Sequence, residues 1–525
     1  MFQVDKVFYD GNIYTMENEG KTVSAMVVYD GKIIDTGTDE EMLKYNYKEK
    51  IDLKGKTVLP GFIDTHCHIA EAVEGQLKVD LSGCASFDEV VERMKKALPY
   101  VEPGKYLFGY QISEWGLNGL PDIHVLDKIS TDIPVFISDN GLHSFIGNTK
   151  LLEVLEIGKG FSEPGYQGME VDGDGFPTGI FREHAMLKYL NKGRPSVFKS
   201  KEHMLEMLKK KLMDWSSYGY TTLHSCDGFS ESEIDKMSVY QELLRKGELK
   251  MRVILNKQYA VDNEVGAISG AGNDMIKYGA LKIFTDGSFS GRSALVIDDY
   301  INTPGNKGKT AHSFEEFRDI IKHAYDIGDD IAIHVIGDGG MEWVIKVMDE
   351  IYDPSRKQQF ELIHVSLTNE SQWKRLKKYP VVIATQPIFL PDMLNSKKNR
   401  LGTERGNHLM AYKSWIDNGL IVGAGEDGPI YSSNPFLSMY YAITRYIGNG
   451  EYLNKNEAVS TYQAVCMYTK YASYCAHEEN IKGTLSNGKV ADFVVLPKDI
   501  FKISPEELKD LYVESTYLAG ERVYG

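Results

Sequence analysis

Between residues 58 and 425, eight short apolar, β-branched runs alternate with stretches of helical period: 58–66, 220–225, 251–256, 280–285, 331–335, 361–365, 381–386 and 420–425. Met204, Leu208, Leu212 and Trp215 share one helix face, and Gly219 ends that helix before the next run. Eight such repeats predict an α/β fold, a (β/α)8 TIM barrel. One gap is too long. The first run ends near His66 and the second begins near Tyr220, whereas a βα unit needs only ~30 residues. Residues 70–200 therefore predict an inserted α+β element after strand 1, with strand candidates at 106–110 and 135–138 and a turn-rich stretch at 163–179. Because it leaves the C-terminal end of that strand, it is expected to form a lid over the face where barrels carry their sites.

The two chain ends share a different style. Asp10-Gly11, Asp30-Gly31 and Lys54-Gly55 punctuate short β runs, and Asn487-Gly488 and Ala519-Gly520 do the same near the other terminus. Since termini often lie close together, both ends predict one composite β-sandwich domain. The expected division is 1–57 with 480–525 for the sandwich, 58–69 with 201–479 for the barrel, and 70–200 for the insertion.

Composition narrows the class. With 525 residues, 42% hydrophobic and 26% charged, the chain is a large globular protein and no stapled miniature. A net charge of −16 argues against a nucleic-acid partner. The five cysteines form no C-x-x-C pair and are odd in number, which disfavours a disulfide framework or zinc knuckle and fits a reducing cytoplasm. The first residues lack the basic flank and apolar run of a signal peptide, and no apolar stretch is long enough for a bilayer. The expectation is a cytoplasmic protein with no membrane partner.

Candidate chemistry gathers at the strand ends. In Pro60-Gly61-Phe62-Ile63-Asp64-Thr65-His66-Cys67-His68, alternate residues point the same way, so His66 and His68 present two imidazoles to one side as a metal needs. An H-x-H alone also suits turn or core histidines. Its position favours ligands, because His334, His364 and Asp427 close three further runs. Lys282 lies inside the fourth run with apolar neighbours, where lysine is rarely buried unpaired. It could pair with an acid such as Asp286, could snorkel out, or could be carboxylated by carbon dioxide into a metal-bridging anion; the residue alone leaves these open.

This ordering resembles the amidohydrolase superfamily, metal-dependent hydrolases on a (β/α)8 barrel. Asp174-Gly175-Phe176-Pro177-Thr178-Gly179-Ile180, Thr285-Asp286-Gly287-Ser288, His334-Val335-Ile336-Gly337-Asp338 and Lys489-Val490-Ala491-Asp492 are similar to the amidohydrolase-3 branch, which contains N-substituted formamide deformylase-like enzymes. The resemblance implies two divalent metal ions held by His66, His68, carboxylated Lys282, His334, His364 and Asp427. Zinc suits these donors, with manganese or iron as alternatives. It further implies a metal-bridging hydroxide that attacks a carbonyl while Asp427 shuttles the proton, giving C–N hydrolysis of an amide, N-formyl or cyclic amide. An esterase or lactonase, an isomerase or decarboxylase on the same site, and a non-catalytic metal-binding protein are the alternatives.

The branch usually reads Gly-Ser-Asp where this chain has Gly425-Glu426-Asp427, and alternation along the strand points Glu426 away from the metals, towards solvent. Candidate substrate contacts are His143 and Glu183 in the insertion, by the resemblance, and Arg292 and Gln386 at the rim. Arg292 suits a substrate carboxylate or a loop ion pair, and Gln386 a substrate or a rim hydrogen bond. Trp115, Phe145, Phe181 and Phe389 could line an apolar pocket or pack a core. The expected partner is a small-molecule substrate, with a homodimer as the prior for a soluble enzyme.

Overall fold

The computed structural model describes residues 2–101, 104–114, 116–139, 144–161, 169–182, 198–226, 236–259 and 266–525. The chain divides into two compact units, one of Met1–His68, Lys209–Cys226 and Tyr240–Gly525, the other of Ile69–Leu208 and Asp227–Val239.

The first unit is built on eight parallel strands in sequence order: β1 (Phe62–Cys67), β2 (Tyr220–Ser225), β3 (Arg252–Gln258), β4 (Ile276–Phe284), β5 (Ile331–Val335), β6 (Phe360–His364), β7 (Val381–Thr385) and β8 (Ile421–Ala424). Such strands, buried on both faces, read as continuous apolar runs, and every residue of β5, β6 and β7 is buried. Just past β8 the sheet curls back onto β1. Asp427 N–H donates to His66 O at 2.8 Å, and His68 N–H to Gly428 O at 2.7 Å. Gly425 permits this approach, since a Cβ there would lie 2.5 Å from Asp64 Oδ1 and 2.6 Å from His66 N. The result is a nearly closed barrel of the TIM type.

Two further sheets come from the chain ends. One contains Gln3–Tyr9, Ala25–Tyr29, Lys32–Gly37 and Asn46–Asp52; the other joins Asn12–Tyr14, Thr22–Val23 and Thr57–Pro60 to Phe493–Leu496, Ser515–Leu518 and Glu521–Tyr524. Asp30 and Gly31 turn between adjacent strands at φ of 48° and 72°, the left-handed pair that an Asp-Gly hairpin requires. Phe8, Met26 and Val28 of the first sheet share an apolar cluster with Ile13, Val58, Phe493 and Tyr517 of the second.

The run 58–66 is not one strand. Thr57–Pro60 pairs antiparallel with Phe493–Leu496, and only from Phe62 does the chain enter the barrel beside β2. The break falls at Gly61, where a Cβ would lie 2.4 Å from Thr221 Oγ1. Asp492 fastens the same corner: its carboxylate receives Arg252 Nε and Nη2 at 2.7 and 3.0 Å, and its carbonyl receives Gly61 N–H at 2.9 Å. The Lys489–Asp492 motif is thus a structural joint of the terminal sheet to β3.

The second unit holds a mixed six-stranded sheet in the order Met169–Val171, Pro177–Arg182, Ser144–Gly147, Val135–Asp139, Leu107–Ile112, Val79–Asp80. Val135 and Ile137 join one apolar cluster and Phe136 the other, the two-residue period of a sheet covered on both faces. Phe145 and Phe181 pair across strands inside the second cluster, so both are core residues of this unit.

Candidate metal centre

Four of the strand-end residues meet directly. Asp427 Oδ1 lies 3.3 Å from His66 Nε2 and 3.1 Å from His68 Nε2, and His66, His364 and Asp427 each offer a ligand atom within 4.8 Å of the others. The rings of His66 and His364 are 5.2 Å apart, and His334 stands 4.6 Å from His364. Asp427 takes φ of 54° and His364 φ of 72°, unusual for residues with a Cβ, so the chain leaves regular strand geometry where it delivers these groups. Asp427 Oδ1 is buried and makes no aligned hydrogen bond, despite two ring nitrogens within reach. A carboxylate oxygen and imidazole nitrogens converging without bonding one another fit a shared cation.

The second ring nitrogens are occupied. His66 Nδ1 meets Cys226 Sγ at 3.1 Å, His364 Nδ1 donates to Gln386 Oε1 at 2.7 Å, and His334 Nε2 donates to Gly287 O at 3.2 Å. Each contact fixes a ring's orientation, the usual outer support of a metal-binding histidine. Burial, with the charge of Lys282, pushes His66 down to about 4, and burial holds His364 well below the usual imidazole range. Burial alone would raise Asp427, but His66 and His68 outweigh it and hold the carboxyl well below its ordinary value. Neutral imidazoles around a carboxylate are the protonation states a cation binds.

Lys282 is buried on β4, its Nζ 5.0 Å from the Phe284 ring centre. Asp286 is not its partner, because that carboxylate accepts from the backbone N–H groups of Leu295, Ile336 and Gly337 at 2.8, 3.0 and 2.9 Å. No hydrogen bond or ion pair joins Lys282 to a described residue. Burial lowers the pKa of its amine, against the charges of Cys226, Asp427 and Glu361.

One expectation changes. Glu426 points away from the metal ligands, but it does not reach solvent: it is fully buried and accepts from the hydroxyls of Tyr220, Ser438 and Tyr468 at 3.1, 2.5 and 2.6 Å. Helices Pro435–Thr444 and Thr461–Tyr468 supply two of those donors, so the outer face of the strand end is covered. Gln386 is likewise fully buried; it accepts from His364 Nδ1 and donates to Ala384 O, the hydrogen-bonding alternative of the two, and so orients that ring. Phe389 stacks on His364 at 5.8 Å between ring centres. Arg292 is half-buried in the loop after β4 and forms no loop ion pair with a described residue. His143, Glu183 and Trp115 lie outside the described residues.

Sequence reasoning missed Cys226, His224 and Glu361. Cys226 directly follows β2, a strand-end position that could have drawn attention. His224 and Glu361 are buried within β2 and β6, where burial pushes the imidazole down to about 3 and the carboxyl up to about 8.

A barrel with this donor set at its strand ends defines a metal-dependent hydrolase. The chain belongs to the amidohydrolase family, whose model matches residues 49–524. It is 30% identical to the "Putative amidohydrolase YtcJ" of Bacillus subtilis (strain 168), over 99% of each chain. It is 26% identical to the "N-substituted formamide deformylase" of Arthrobacter pascens, over 98% of this chain and 97% of that one. The fold matches an uncharacterized metal-dependent hydrolase from Pyrococcus horikoshii OT3 with a TM-score of 0.76 and 26% identity, covering 95% of this chain and 99% of that one. The protein is therefore a hydrolytic enzyme that uses divalent metal and acts on a small molecule. No helix among the described residues is long and apolar enough to cross a membrane.

Proposed function

We propose that the enzyme hydrolyses a C–N bond of an amide, N-formyl or cyclic amide at a two-metal centre held by His66, His68, Lys282, His334, His364 and Asp427. The observation that carries this is the buried, unbonded Asp427 Oδ1 between His66 Nε2 and His68 Nε2. When bound, divalent cations, zinc by preference for these donors, supply a Lewis acid for the carbonyl and acidify water to near neutral pH. Asp427, held as a carboxylate, takes the proton of the attacking water and returns it to the leaving nitrogen. Cys226, Gln386 and the carbonyl of Gly287 keep the rings aimed. The depressed pKa of Lys282 favours the neutral amine that adds to carbon dioxide, releasing one proton and giving a carbamate.

The resemblance to the formamide deformylase supports a C–N bond over an ester. The shared apolar cluster of the two terminal sheets supports reading them as one composite sandwich. The test is metal-reconstituted protein assayed on N-formyl, N-acyl and cyclic amides beside matched esters, with metal counted by elemental analysis. Two equivalents of metal and amide turnover are expected. Turnover of esters alone would overturn the C–N assignment, and one equivalent with unmodified Lys282 would overturn the two-metal centre.

A further inference from the structure

The loop after β4 is held from several sides. Asp286 ties its start to Leu295 N–H at 2.8 Å and to Gly337 N–H, beyond β5, at 2.9 Å. Within the loop, Gly287 N–H donates to Ser293 O at 3.3 Å, and Ser293 and Ala294 N–H both reach Ser288 O at 3.0 Å. Buried Arg400, from the segment after β7, donates to Phe289 O at 3.1 Å and Ser290 O at 3.2 Å. The same loop touches the metal centre, through Gly287 O and His334 Nε2.

Arg292 rides on this loop at φ of 51°, one residue before Ser293 and hence one backbone hydrogen bond from Gly287. Its Nε is buried without a hydrogen-bond partner. Among the described residues, the other buried or half-buried arginines all place their guanidinium on a carboxylate or a carbonyl, as Arg252 does on Asp492, Arg375 on Glu342 and Arg405 on Asp298 O. The chain has 75 acidic residues against 59 basic ones, so acids to pair with are plentiful. A half-desolvated guanidinium left without one carries a cost that an incoming anion removes.

We propose that Arg292 is a specificity-determining residue that binds a carboxylate of the substrate, which makes the substrate class amides that carry a free carboxylate, with N-formyl amino acids as the probe. This rests on the C–N hydrolase reading above. The planar fork of the guanidinium fits a carboxylate through two parallel hydrogen bonds, and the pinned loop holds the backbone that carries it before substrate arrives.

The test uses matched pairs, an N-formyl amino acid and its neutral carboxamide, on wild type, Arg292→Met and Arg292→Lys. Wild type should prefer the carboxylate member. In Arg292→Met, kcat/KM for that member should fall roughly 10- to 100-fold, through KM, with the carboxamide and the metal content unchanged. Arg292→Lys should recover only part, since lysine offers a point charge without the fork. Equal losses on both members, or no preference in wild type, would overturn the proposal. Calorimetric titration of the same pair into Asp427→Asn protein separates the two readings. Carboxylate-dependent binding abolished by adding Arg292→Met, with no hydrolysis by wild type, would keep this assignment and sink the hydrolase chemistry.

Discussion

Two buried polar regions of the first unit treat their charges in opposite ways. Around the N-terminal part of β3, Arg252 grips Asp492 with two hydrogen bonds, while Glu478 bridges Lys277 and Lys482 at 2.7 Å each. At the strand ends that carry His66 and Asp427, Asp427 Oδ1 and Asp64 Oδ2 are buried without hydrogen bonds, and Lys282 meets no acid. Removing a polar group from water is tolerated when a partner inside the protein replaces the water. In the first region each cation has its acid within 3.0 Å, and the pairs hold the fold together; in the second, Lys282 has no described acid to meet and Asp427 faces imidazoles rather than a permanent cation.

That contrast can be broken most sharply at Asp427. In Asp427→Asn, kcat should drop about 10²–10⁴-fold while much of the metal remains, whereas His334→Ala and His364→Ala should lose metal; elemental analysis beside steady-state kinetics reads both. Arg252→Met should do the reverse. It strands buried Asp492 and should cost about 3–5 kcal/mol of stability in denaturant unfolding, with metal per folded chain unchanged. If Arg252→Met instead empties the metal centre, the two regions are not independent.

A smaller effect is expected from the residues behind the ligands. Cys226→Ala and Gln386→Leu should weaken metal about 10–100-fold in a chelator competition, because each frees an imidazole to rotate. The last effect is read through its pH dependence. Burial pushes the Glu478 carboxyl up, but Lys482 and Lys277 outweigh it and hold it at about 2, below its unfolded value near 4.5. Its contribution to stability is therefore complete above about 4.5 and is lost as pH falls towards 2. Glu478→Gln should lose stability at neutral pH and show a shallower acid unfolding limb across that window.

The barrel was legible because its strands are apolar on both faces and its chemistry sits at their ends. The ligand candidates follow from that phase, one residue at a time. What the pattern could not show was which neighbour covers an outward face. Alternation correctly turned Glu426 away from the metal ligands, yet only the packed helices show that its destination is three hydroxyls. Gln386 stayed open between two roles for the same reason: a strand-end amide looks alike in sequence whether it meets substrate or a ring nitrogen. The break at Gly61 was passed over although Pro60-Gly61 marks it, because Val58-Leu59 and Phe62-Ile63 on either side read as one apolar run, while the two parts pair with different sheets.

The seam of the barrel gives the site a temporal order. Asp427 N–H bonds His66 O, so the residues that close the barrel are also two of the proposed ligands, one from the first strand and one from just past the last. Donors from both edges come together only when the eighth strand has met the first, so a cation bound there would act as a clasp across the join. Metal retention is thereby a report on whether the last strand has found the first.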